Sequence, residues 1–178
     1  LDCNRISGGI KNIYFAVYDQ VLSTTVNVDE ITDIDMGTSS LYKYTMPLGV
    51  ASLTDTITGS RENGTVFFTP TVNIILNRLT KEDQNEIKLL AQTKLVIFAE
   101  LNATLASNGH TVIVCLGRVN GMELNAGTMD SGAAFGDRGG YTLTFDGLET
   151  EPFIMVKDYT ATPFDNADSS NPIPIISA

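Results

Sequence analysis

The feature that most constrains the fold of this chain is a period of two. In GTVFFTPTVNIILNRL (residues 64–79), Val66, Phe68, Val72, Ile74 and Leu76 share one parity. Side chains two apart lie on one face of a strand, so this pattern predicts a long half-buried strand. Pro70 falls inside it and brings no backbone donor, which predicts an edge or bulged strand. The same alternation through Ile13, Phe15 and Val17 predicts a first strand buried on at least one face. LYKYTM puts Tyr42, Tyr44 and Met46 on one side, and in LGVASLTDTITG the parity changes near Ala51–Ser52, as a bulge would make it. KLVIFAEL and HTVIVCLG read as further strands joined by NATLASNG, where Asn108-Gly109 is a hairpin-turn signal. YTLTFDG and FIMVKD follow.

One segment departs from this pattern. KEDQNEIKLLAQ places Ile87, Leu90 and Ala91 on one helical stripe, with Thr80 as N-cap, Asp83 reaching back to it and acids in the first turn. About three turns are too few to stand alone, so this helix needs a sheet to pack on. The expected fold class is mainly β: a β-sandwich or barrel with one flanking α-helix over about residues 81–92. The 178 residues suit one domain. Residues 1–158 are expected to form it, and 159–178, proline-bearing and poor in charge, to run as an extended C-terminal arm outside the core.

Charged residues make up only 18% of the chain, against about 25% in soluble domains. The shortfall predicts that part of the surface is covered by another protein surface. The net charge is −10, and nine of the 21 acids but two of the 11 bases lie after residue 119. Such a surface repels phosphate backbones, which argues against sequence-reading of nucleic acid. Cys3 and Cys115 form no C-x-x-C pair and there is one histidine, so a structural zinc site is not expected. Cys115 reads as a small buried hydrophobe, and a Cys3–Cys115 bridge stays open. Neither a signal-peptide pattern nor a run of about 18 apolar residues is present, which predicts folding in a reducing cytoplasm and no membrane partner.

Catalytic, cofactor-binding and metal-binding residues are not expected, and the chain does not read as an enzyme. His110 stands beside a turn without a nucleophile or orienting acid and is expected to be exposed. Asp29, Glu30, Asp33 and Asp35 lack the spacing of a calcium loop. The glycine-rich stretch 127–140 lacks G-K-[ST], and a strand follows it where a dinucleotide site needs a helix. Asn63 and Asn102 match the glycosylation pattern by chance. Glu149 and Glu151 resemble a carboxylate pair but lack an aromatic platform.

The segment from Asn125 to Gly140 is the candidate self-association element. Its glycines predict a mobile loop, yet Met129, Ala133, Ala134 and Phe135 are apolar. The combination fits a loop that orders against a second copy, with Phe135 as anchor and Asp137 and Arg138 as a charged pair at the rim. The competing reading is a hairpin tip with Phe135 folded back on its own core.

Two blocks carry a family resemblance. ENGTVFFTPTVNIILNRLTKEDQNEIKLLAQTKLVIFAE and GMELNAGTMDSGAAFGDRGGYTLTFDGLETEP, together spanning about residues 62–152, resemble segments of tail tube-like structural proteins of Bacteroidetes phages and prophages. The second block is the more specific, and GGIKNIYFA fits weakly. The resemblance implies a virion structural protein with a β-sandwich or barrel and one flanking helix. It also implies hexameric rings that stack into a channel through which DNA passes without sequence-specific binding. Its partners would be copies of itself and other tail or virion proteins, in the host cytoplasm during assembly and then in the tail. The alternatives are another virion ring, connector, stopper or decoration protein, and a carbohydrate-binding β-sandwich.

Overall fold

The computed structural model describes residues 7–77, 81–105, 108–168 and 172–177, apart from the side chains of residues 82, 83 and 86. Its strands are β1 (Ile10–Val17), β2 (Ser23–Asn27), β3 (Glu30–Asp35), β4 (Leu41–Thr45), β5 (Ala51–Ser60) and β6 (Thr65–Leu76). After the helix α1 (Lys81–Leu90) come β7 (Leu95–Thr104), β8 (Thr111–Leu116), β9 (Glu123–Asp130), β10 (Gly140–Asp146), β11 (Ile154–Val156) and β12 (Ile175–Ser177). They form an eight-stranded sheet, ordered β12-β4-β1-β7-β8-β11-β3-β2, and a four-stranded sheet, ordered β5-β6-β10-β9. The fold is sandwich-like and no barrel closes.

Alternation explains how the two sheets meet. Ile13 and Phe15 of β1, Ile97 and Ala99 of β7, and Val114 and Leu116 of β8 point from the large sheet into one core. Val72, Ile74, Leu143 and Phe145 of the small sheet meet them there. Residues of opposite parity on the same central strands, Tyr14, Ala16, Val96, Phe98, Ile113 and Cys115, fill a second core on the outer face of the large sheet. A sheet buried on both faces needs near-continuous hydrophobic strands, which is what LVIFA and VIVCL supply.

The second core is closed by the segment expected to lie outside the fold as an arm, and that expectation is corrected over residues 159–168. Phe164 and Ala167 are buried. The Phe164 ring stands edge-on to Tyr14 (centroids 5.1 Å apart) and to Phe98 (5.4 Å). Its backbone is left-handed, φ 73°. The Asp165 carboxylate holds this turn, accepting from the N–H groups of Thr160 (2.7 Å), Ala161 (2.7 Å) and Thr162 (3.0 Å). Desolvation opposes its charge, but these donors together with the Thr160 hydroxyl outweigh it and hold its pKa well below the usual carboxylate range. His110, expected to be exposed, is half-buried. It stacks on Tyr159 at 4.6 Å, and its Nδ1 lies 2.6 Å from the Tyr159 carbonyl, tying down the start of the covering segment. Strand β12 joins the edge of the large sheet, running parallel to β4.

Three other expectations meet the structure differently. Strand β6 is not an edge, since it lies between β5 and β10. Pro70 is tolerated because β10 pairs with β6 only from Thr71 onward, while Phe68 exchanges both backbone hydrogen bonds with Glu149 (2.9 and 2.8 Å). Backbone groups alternate sides along a strand, so the donor missing at Pro70 faces the gap between those two pairings. The bulge expected at Ala51–Ser52 is absent, because β5 starts at Ala51 and pairs with β6 without a register shift. Leu48, Gly49 and Val50 belong to the preceding turn. Helix α1 ends at Leu90, and a turn closes it with the Thr93 hydroxyl donating to the Leu89 carbonyl at 2.8 Å. Ile87 and Leu90 pack against the first core as expected. Thr80 and the Asp83 side chain lie outside the described residues, as does Cys3. The Asn108-Gly109 turn joins β7 to β8, with Gly109 at φ 74°.

Candidate self-association surface

The glycine-rich segment is half strand. Asn125 to Asp130 belong to β9, which pairs antiparallel with β10, and only residues 131–139 form the tip. Gly140 shows why the strand begins where it does. A Cβ there would lie 2.0 Å from the Leu76 carbonyl oxygen, so only glycine lets β10 close on β6 at this point.

The tip is bound up by its own acids. The Asp137 carboxylate accepts from the N–H groups of Ala133 (3.1 Å) and Ala134 (2.7 Å), and the Asp137 N–H donates to the Ala134 carbonyl at 3.0 Å. Asp130 accepts from the Gly132 N–H at 2.9 Å. The Ala134 and Ala133 N–H groups hold the Asp137 pKa below its ordinary value. The Arg138 guanidinium donates to the Thr142 hydroxyl at 3.1 Å. Phe135 is fully exposed and does not fold back on the core, and Met129 at the end of β9 is also exposed. The structure thus brings Met129, Ala133, Ala134, Phe135, Asp137 and Arg138 together on one hairpin end.

Sequence reasoning missed a second exposed region. The distal half of the β5–β6 hairpin extends beyond the core, leaving Ile57 (68% exposed), Val66 (62%) and Phe67 bare. The signal lay in Val66-Phe67-Phe68, three consecutive apolar residues that no one-faced strand can bury together. Two-stranded ribbons are marginally stable alone, so such a ribbon gains from a neighbour. A third region, also missed, is an apolar groove between α1 and the inner face of β1 and β4.

The charged groups singled out for chemistry are engaged structurally. Glu149 is buried and accepts from the N–H groups of Val119 (3.2 Å), Asn120 (2.9 Å) and Gly121 (3.1 Å). Burial pushes its pKa up despite those donors. Glu151 is paired with Arg118, whose Nε lies 2.6 Å away. Glu100, which sequence reading passed over, is the other buried acid of note. It takes hydrogen bonds from Asn12 (2.6 Å), Tyr14 (2.9 Å) and Thr111 (2.7 Å) and faces the Lys11 ammonium at 3.1 Å. Asp29, Glu30, Asp33 and Asp35 lie along the β2–β3 hairpin. Among the described residues, no group of three or more His, Cys, Asp or Glu is placed to hold a metal. Cys115 is buried with a free thiol. No helix among the described residues is long and apolar enough to cross a membrane.

No protein-family model, curated protein or solved structure matches the chain.

Proposed function

We propose that this protein is a tail tube-like virion structural protein whose copies associate into rings, hexameric by the family resemblance, that stack into a channel for DNA. The observation that carries the reading is the four-stranded sheet. Both of its edges, β5 and β9, are largely exposed, and they differ from each other. Neighbours in this sheet are antiparallel, so β5 and β9 run in opposite directions. The β9 edge of one copy therefore meets the β5 edge of the next as an antiparallel partner, and a head-to-tail contact of that kind generates rings or filaments. The exposed side chains of the β5–β6 ribbon and of the β9–β10 tip suit the same purpose.

Charge supports the choice of cargo. Strands β5, β6, β9 and β10 contain Asp55, Glu123, Asp130 and Asp146 but no lysine or arginine. The sheet face turned away from the core carries Thr54, Thr56, Thr71, Asn73, Thr142 and Thr144. A hydroxyl-rich acidic wall does not retain a polyanion.

Negative-stain electron microscopy of the purified chain, with sedimentation analysis, tests the reading. Rings or tubes at high micromolar protein are expected. A strict monomer that forms neither would refute it.

A further inference from the structure

We infer that the groove beside α1 is the seat for Phe135 of a second copy of this chain. This rests on the self-assembly reading and names one of its contacts. The groove has a volume of about 340 Å³ and is lined chiefly by Phe15, Val17, Tyr42, Tyr44, Leu89 and Leu90. No residue of the four-stranded sheet lines it, and the groove opens between α1 and strands β1 and β4. Leu89 is 64% exposed and Tyr42 43%. Ile176, which pairs with Tyr42 across β12 and β4, extends the apolar rim.

The chain also carries the matching insert. Phe135 presents its whole ring to solvent on a turn stitched by Asp137 and Asp130, so little conformational entropy is left to lose when the ring is buried. A dry cavity of roughly 150 Å³ admits a benzene ring, and the groove is about twice that size. On the tip, the Asp130 and Asp137 carboxylates are turned back on the tip's own N–H groups, which leaves the Phe135 ring as the protruding group. Insert and seat are different surfaces of one molecule, so a contact that is not reciprocated leaves one of each free and propagates from copy to copy.

The test is a mixing experiment followed by sedimentation, using Phe135→Ala, which lacks the insert, and Leu89→Arg, which blocks the seat. Both positions are exposed, so each variant is expected to keep the wild-type circular dichroism and melting temperature. Each alone is expected to associate at least about tenfold more weakly than wild type. Mixed one to one, they are expected to form dimers that grow no further, since the Phe135→Ala copy still offers a seat and the Leu89→Arg copy an insert. Wild-type oligomers that persist in Phe135→Ala, or a mixture no more associated than its components, would overturn the contact while leaving self-assembly intact. A wild-type chain that never associates overturns both.

Discussion

Phe164 tests whether residues 159–168 belong to the core. Phe164→Ala removes a buried ring packed edge-on against Tyr14 and Phe98. Phenylalanine-to-alanine changes in cores cost about 3–5 kcal/mol, a large part of the roughly 5–15 kcal/mol that holds a domain together. The backbone adds a second, independent expectation. At φ 73° a residue with a Cβ is strained by about 1–2 kcal/mol, and glycine is not. Phe164→Gly is therefore expected to be at least as stable as Phe164→Ala, the reverse of the usual order. Urea unfolding followed by far-ultraviolet circular dichroism measures both. A cost below about 1 kcal/mol for the alanine variant would show that the segment does not pack on the large sheet. A glycine variant clearly weaker than the alanine one would refute the left-handed turn.

Gly140→Ala drives a Cβ against the Leu76 carbonyl and is expected to cost about 1–3 kcal/mol, whereas Gly136→Ala, in open space, should stay within about 0.5 kcal/mol, as read by thermal unfolding. At Glu100, burial opposes the charge, but bonds from Asn12, Thr111, Tyr14 and Lys11 hold the pKa below its ordinary value. The stability it contributes is complete above its unfolded-state pKa and is lost as pH falls through the lower folded value. Glu100→Gln should therefore flatten the acid limb of urea midpoints taken from pH 7 to 3. In a Cys3→Ser background, the Cys115 thiol, which burial pushes far above its ordinary pKa, is expected to resist a thiol reagent in the folded protein and to react fully in denaturant.

Period-two alternation made the central strands legible, because a strand's faces are written directly into its sequence. It said nothing of which strands pair, so the division into two sheets could not be read. The parity change at Ala51 is the mark of a bulge, but a turn at Leu48–Val50 produces it equally well. Asn125 to Asp130 read as loop because they have weak strand preference, and pairing with β10 overrides that preference. Phe164 and Ala167 escaped notice because a single anchoring ring between turns has no period. Of the candidate surface, Met129, Ala133, Ala134 and Phe135 were legible as apolar side chains among glycines. The groove was not, since Tyr42, Leu89 and Ile176 meet only once the chain is folded.

The parallel pairings have a consequence for the growing polypeptide. Strand β4 emerges from the ribosome long before residues 175–177 that pair with its outer side, and β3 long before residues 154–156. Until those residues arrive, the outer edge of β4 is bare and Ile176 is missing from the rim of the groove. A nascent chain can thus present its β9–β10 tip before it has a finished seat for another copy's tip. Under the proposed contact, Phe135 is ready as an insert before the rim of the groove that would receive another copy's Phe135 is complete.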